Sequence, residues 1–399
     1  MLYVHVPFCL SVCPYCDFVV YAGADARGPR SRTDAFVAAL YAELDLRADV
    51  HEARFGSVGA AGRLPLASVY VGGGTPSLLA AGQLAELLAH VERRFRLAAD
   101  AEVTLEVNPG ADDLGDLAGF RAAGVNRLSI GAQSLDAAEL RAIGRRHTAA
   151  DVLAAVGAAR VAGIRSISLD LLYDLPGQAT ATWGRTLHAA LALPIDHLSA
   201  YALDLADPDA EGLTGSSGDH LPVRRGARRW RERARAGQDD DRAAEMYALA
   251  DERLAAAGFQ WYELSNWARR GHESRHNLGY WQGLAYEAIG PGAHAFDGVA
   301  ARRWNAARLD GYLAALTPSD GSPPSLPPGA EEWLEPVTRS AERRILGLRL
   351  ASGIRTSTTA APALAWASDH DLLEPAGDDR IRLSLRGRLL SNEVFGRLL

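Results

Sequence analysis

Cys9, Cys13 and Cys16 are the only cysteines of the chain, and they fall within eight residues, in the run Cys-Leu-Ser-Val-Cys-Pro-Tyr-Cys. Thiolates are ligands for iron–sulfur clusters and for zinc. Three of them can anchor three irons of a [4Fe–4S] cluster, leaving the fourth iron open to another ligand. Zinc in a structural site takes four protein ligands, and His5 is the one candidate near enough in sequence to be the fourth. A disulfide framework is disfavoured, because three cysteines cannot complete two pairs.

Further along stand other groups with chemical capacity. Gly72-Gly73-Gly74-Thr75-Pro76 follows an apolar run. Glycines permit positive φ and close approach to a ligand, but the Lys-Ser/Thr that a phosphate loop requires is absent. Glu106, Gln133 and Asp170 lie at or near the ends of successive β-rich runs, and Arg145 follows in a helix-like stretch. His276-Asn277-Leu278-Gly279-Tyr280-Trp281 combines an iron-binding imidazole with flat aromatic surface and polar tips. His294, in Gly-Pro-Gly-Ala-His, is a second imidazole of the same kind.

The elements that must position these groups recur in a simple order. β-rich runs at Leu2–Val6, Ser68–Val71, Glu102–Val107, Arg127–Gly131, Ser166–Leu172 and His197–Leu203 alternate with helix-like segments such as Ala80–Phe95, Asp136–Arg146 and Ala150–Ala162. That order predicts an α/β fold with a helix-covered parallel sheet. Six units make a barrel about three-quarters closed, with its chemistry at the C-terminal strand ends. The barrel is expected over residues 1–204. Residues 205–241 read as a surface excursion, whose run Arg224–Arg235 predicts a solvated helix face. Residues 242–399 form a C-terminal domain: a helix over Arg242–Ala257, a β- and loop-rich stretch with the His276 motif, a Pro/Ser/Gly-rich linker at Ser319–Gly329, a helix over Glu331–Leu350 and a winged-helix-like tail with a hairpin at Leu372–Leu383.

Composition narrows the function classes. The net charge of −7 does not favour nucleic-acid binding. All 42 basic residues are arginine, so a lysine Schiff base and a P-loop lysine are excluded. No apolar stretch approaches the roughly 18 residues of a membrane span. No secretory leader is visible, and free cysteines beside an oxygen-sensitive cluster predict a reducing cytoplasm.

The cysteine spacing, with the apolar run before it and Tyr15 before its last cysteine, resembles the signature of the radical S-adenosylmethionine (SAM) superfamily. In that superfamily SAM chelates the open iron, and reduction of the cluster cleaves it to a 5′-deoxyadenosyl radical. Tyr3-Val4-His5-Val6-Pro7-Phe8-Cys9, Gly-Gly-Gly-Thr-Pro-Ser, Glu-Val-Asn-Pro-Gly, Gly-Val-Asn-Arg-Leu-Ser-Ile-Gly-Ala-Gln-Ser and Leu-Asp-Leu-Leu-Tyr-Asp-Leu-Pro resemble its coproporphyrinogen-oxidase-like branch over nearly the whole chain. By that resemblance Tyr3, Tyr15, Gly73, Gly74, Thr75, Glu106, Gln133, Arg145 and Asp170 line the SAM site. The branch's oxidases carry a further cysteine two positions after the third, where this chain has Phe18. The His276–Trp281 run is similar instead to a motif of the branch's heme chaperones. That likeness implies heme near His276, Asn277, Tyr280 and Trp281, client heme proteins as partners, and a reducing donor such as flavodoxin or ferredoxin. The alternatives within the branch are coproporphyrinogen III oxidation and SAM-dependent methyl transfer.

Overall fold

The computed structural model describes residues 1–60, 63–356 and 362–399. Among these, nine strands form one sheet. Its centre is six parallel strands in sequence order: Leu2–Val6, Leu66–Gly73, Leu97–Val107, Arg127–Gln133, Ser166–Tyr173 and His197–Ala202. Their side chains alternate between the two faces, as the pleat demands. One face is apolar: Leu2, Val4, Val69, Val71, Leu105, Leu128, Ile130, Ile167, Leu169 and Leu198 are sealed from solvent. They pack in one core with Phe36, Leu40, Leu84, Leu87, Val152, Val156, Trp183 and Met246 from the covering helices. The other face is polar. Tyr70 bonds Glu106, Ser129 and Ser199 bond Asp170, and Ser168 bonds His197.

The C-terminal half completes this sheet. Glu287–Ile289 adds a parallel strand beside Leu2–Val6, while Asn266–Ala268 and Gln260–Glu263 continue it antiparallel beyond His197–Ala202. The His276 motif, read as β or loop, forms the short helix Arg275–Trp281. Its start is fixed by Ser274, whose hydroxyl accepts from the Asn277 N–H, and by Glu102, whose carboxylate accepts from Arg275 and His276. The expected helix over Glu331–Leu350 starts late. Gly329–Trp333 pairs as a strand with Ala301–Asn305, and Pro336 opens the helix Pro336–Arg349. The tail has its hairpin, Leu373–Pro375 against Arg380–Leu383, followed by two short helices.

The stretch 205–241 is bound tightly to both halves. Its helix Arg225–Arg235 has the expected exposed arginines, but Arg231 departs from a solvated face. It is buried and donates to the carbonyls of Pro14 (3.1 Å) and Cys16 (3.0 Å) and to Asp17 (2.6 Å). Upstream, the Ser217 carbonyl accepts from the Trp304 indole at 3.0 Å, and the Gly218 carbonyl from the Ala307 N–H at 2.8 Å.

Candidate functional site

Cys9 ends the short strand Phe8–Cys9, and Cys13 and Cys16 lie in the loop between it and the parallel strand Tyr21–Ala22, at the C-terminal end of the first barrel strand. Each is partly buried. Thr75 donates to the Cys9 sulfur at 3.3 Å and Arg145 to the Cys13 sulfur at 3.6 Å. Burial pushes the Cys9 thiol up to about 11 and raises that of Cys16, so ligation has to displace their protons. Among the described residues no three His, Cys, Asp or Glu side chains converge on a point fit for a single metal ion. In a [4Fe–4S] cluster each cysteine takes a different iron. His5 is not placed as a fourth ligand. It is buried, with Nδ1 bonded to the Tyr3 hydroxyl (3.0 Å) and Nε2 to the Val19 carbonyl (2.8 Å), and burial lowers it to about 4.

The nine residues expected to line a SAM site fall into two groups. Thr75 and Arg145 join the cysteine loop to the strand ends. Asn108 donates to the Thr75 hydroxyl at 2.8 Å and accepts from Arg145, which also donates to the Gly131 carbonyl at 2.8 Å. Gln133 stands at this point in left-handed backbone (φ 64°) where the strand register slips. A Cβ on Gly131 would meet Gln133, Asn108 and Arg145 together, so the three converge there. Tyr15 packs against Trp230 beside them. The second group lies inside the barrel. Glu106 accepts from Tyr70 (2.8 Å) and from the Gly73 N–H (2.9 Å), and burial lifts its carboxyl to about 7. Asp170 accepts from three serines at 2.8 to 3.1 Å, and burial raises it as well. Tyr3 packs on Tyr70. The glycine loop is set by the protein itself. Gly73 has φ +109° with the His5 ring against its missing Cβ, and a Cβ on Gly74 would strike the Phe8 carbonyl.

The His276–Trp281 run divides in two. His276 is 1% exposed, with Nδ1 bonded to Ser68 (2.9 Å) and Nε2 to the Tyr280 hydroxyl (2.9 Å). Ser68 lies at the start of its strand, so His276 closes the end of the barrel away from the cysteines. Both ring nitrogens are engaged, and burial lowers the imidazole to about 3. The expected heme-iron ligand thus has no nitrogen to offer in this arrangement. Asn277 is half-buried within reach of the Tyr262 hydroxyl. Tyr280 and Trp281, by contrast, line a cavity of about 490 Å³. Phe18, Val19, Phe296 and Leu346 contribute apolar wall, and Asp219, His220 and His294 lie in the same lining. The cavity therefore opens directly after Cys16.

Residues 3–190 match the family described as the radical SAM superfamily. The heme chaperone HemW of Mycobacterium tuberculosis is 39% identical over all of this chain and 94% of its own length. HemW of Bacillus subtilis is 32% identical over 100% of this chain and 98% of its own. The chain belongs to the HemW family of radical SAM proteins. A solved coproporphyrinogen III oxidase from Escherichia coli has the same fold, with a TM-score of 0.79 at 21% identity over 100% of this chain and 89% of that one. Membership of the radical SAM superfamily implies a [4Fe–4S] cluster and SAM. No helix among the described residues is long and apolar enough to cross a membrane.

For a HemW-family chain, two features of this site were absent from the expectation. Asn108 sits inside the quoted Glu-Val-Asn-Pro run, and its position one residue past a strand was the signal available. Asp219 and His220 lie in a Gly/Ser/Asp-rich stretch that gave none.

Proposed function

We propose that this chain is a heme chaperone. It binds heme in the cavity beside the cysteine loop and hands it to a client heme protein, with a [4Fe–4S] cluster on Cys9, Cys13 and Cys16 and SAM across the strand ends. The observation that carries this reading is the cavity itself. Its volume suits a small-molecule ligand, and its aromatic and aliphatic wall suits a flat apolar one. Phe18 puts an apolar side chain, 62% exposed, at its edge. The names of the full-length relatives support the same reading.

Cys9, Cys13 and Cys16 would hold the cluster, which would offer an open iron and an electron source to SAM. The chain's own residues perform the rest. Thr75 donates to the Cys9 sulfur and Arg145 to the Cys13 sulfur, and these bonds orient two of the three thiols. Arg231 pins the loop from behind. Tyr3, Tyr15, Gly73, Gly74, Thr75, Glu106, Gln133, Arg145 and Asp170 would hold SAM, with Glu106 and Asp170 accepting from its polar groups. The exposed Arg224, Arg225, Arg229 and Arg233, on or next to the helix that pins the loop, suit an acidic donor such as flavodoxin or ferredoxin. A reducing cytoplasm is the compartment proposed.

The test is anaerobic reconstitution followed by hemin titration and a coproporphyrinogen III assay on one sample. Saturable binding of one hemin per chain, with no porphyrin product under SAM and reductant, is expected. Multiple turnovers to protoporphyrinogen IX would replace this reading with the oxidase. Absent hemin binding together with methyl transfer from SAM would replace it with the methyltransferase.

A further inference from the structure

Asp219 stands between two imidazoles. One of its oxygens takes His220 Nδ1 at 2.9 Å, and the other takes His294 Nε2 at 2.7 Å. The carboxylate is 11% exposed and the histidines 30% and 45%. All three line the cavity. A nitrogen bonded to a carboxylate carries its proton there, so the tautomer of each ring is set. In His220 the proton is on Nδ1, and Nε2 has no partner among the described residues. In His294 the proton is on Nε2, leaving Nδ1, the nitrogen beside its own Cβ. A metal-binding histidine ordinarily donates its other ring N–H to a carboxylate, which orients the ring and raises its basicity. His220 meets that description in a cavity whose remaining wall is largely aromatic and aliphatic.

Three further observations converge. The segment carrying Asp219 and His220 is tied down, with the Ser217 and Gly218 carbonyls accepting from Trp304 and Ala307. His294 is stacked on Trp304, 5.8 Å between centroids and 20° between planes, so the second imidazole holding Asp219 is itself held. His276 reaches the cavity only through Tyr280, whose hydroxyl it bonds.

We infer that His220 is the axial ligand of the heme iron, through Nε2, with Asp219 as its orienting carboxylate, and that His276 is a positioning residue acting through Tyr280. This rests on the heme-chaperone reading and names the ligand within it.

The experiment is hemin titration of the cluster-reconstituted wild type and of His220→Ala, His220→Gln, Asp219→Asn and His276→Ala, each read by Soret difference spectrum and low-spin EPR signal. His220→Gln retains a donor for Asp219 and removes the imidazole, so it separates ligation from folding. Both His220 variants should lose the wild-type signature, and added imidazole should restore it. Asp219→Asn should weaken hemin binding roughly 10- to 100-fold, as loss of an orienting partner does. His276→Ala should keep the wild-type signature whatever its affinity. A wild-type spectrum in His220→Gln would overturn the inference while leaving the chaperone reading intact. Failure of the wild type to bind hemin would overturn the chaperone reading itself.

Discussion

His276 lies behind Tyr280 and His220 lies in the cavity wall, and the two differ in what their nitrogens are doing. At the barrel floor, His276 has both nitrogens bonded, to Ser68 and Tyr280, and is sealed by Tyr70 and Tyr280 rings at 5.3 and 4.8 Å. In the cavity wall, His220 uses one nitrogen on Asp219 and keeps the other. The sequence draws attention to the first and away from the second. A histidine embedded in Tyr and Trp is as well suited to closing a core as to meeting a ligand. Partnered, buried polar groups are the rule in protein interiors, and a nitrogen left over beside a cavity is the rarer thing.

The largest effect that separates the two regions is on stability. His276→Ala removes both bonds, leaves the Ser68 hydroxyl without its partner and opens a void among rings. It should cost about 2–4 kcal/mol of unfolding free energy. His220→Ala, partly exposed and with one bond, should cost under about 1 kcal/mol. Denaturant unfolding of the cluster-free proteins measures both. Equal losses would remove the distinction between a floor and a wall.

How far each region was legible in the sequence follows from the range of the interactions that build it. Apart from Leu97–Val107, which begins five residues before the expected Glu102, the barrel strands were read to within two residues of their ends because alternation is local: Leu2, Val4 and Val6 face the helices while Tyr3 and His5 face inward. The cysteines were legible from their spacing alone, and Thr75 and Arg145 from the family resemblance. The site's other residues depend on distant partners. Asp219 means little until His294, 75 positions later, arrives on its second oxygen. The Arg224–Arg235 run looked solvated because nothing local marks Arg231 as the residue that meets the Pro14 and Cys16 carbonyls. The imidazole of His276 reads as free for a ligand in the sequence because Ser68, which takes its Nδ1, lies 208 residues away.

A second contrast concerns charge. The barrel interior holds carboxyls where burial disfavours ionisation, and Glu106 is lifted from an ordinary carboxyl to about 7. Unfolded, the same group ionises near 4.5. Between these values the native state holds the proton that the unfolded chain has lost, so stability falls as pH rises through that window and then levels off above 7. Glu106→Gln keeps an acceptor for Gly73 and a donor for Tyr70 without the titration. It should stabilise the ligand-free protein by about 2 kcal/mol at pH 8 and by much less at pH 5. Unfolding curves at the two pH values decide it; a pH-independent difference would mean that Glu106 is ionised in the fold.

The smallest effect tests the rim of the cavity. Arg339 and Arg343 lie one turn apart on Pro336–Arg349, and both line the cavity. Arg302, in the same lining, is already matched by Glu342 at 3.1 Å and Glu332 at 3.4 Å. Arg343 is exposed and makes no ion pair among the described residues, and Arg339 bonds only the Val299 carbonyl, at 3.3 Å. Two unmatched guanidiniums beside an apolar wall are what two carboxylates on a flat apolar ligand require, since Arg pairs with carboxylate through parallel N–H bonds. Exposed pairs contribute up to about 1 kcal/mol each, so Arg339→Ala combined with Arg343→Ala should weaken hemin roughly three- to tenfold. The axial signature should persist, because the iron is held elsewhere. Hemin dimethyl ester, which lacks the charges, should bind wild type and double variant alike. If the double variant weakens both ligands equally, the arginines support the helix rather than the propionates, and the rim adds nothing to what the wall already selects.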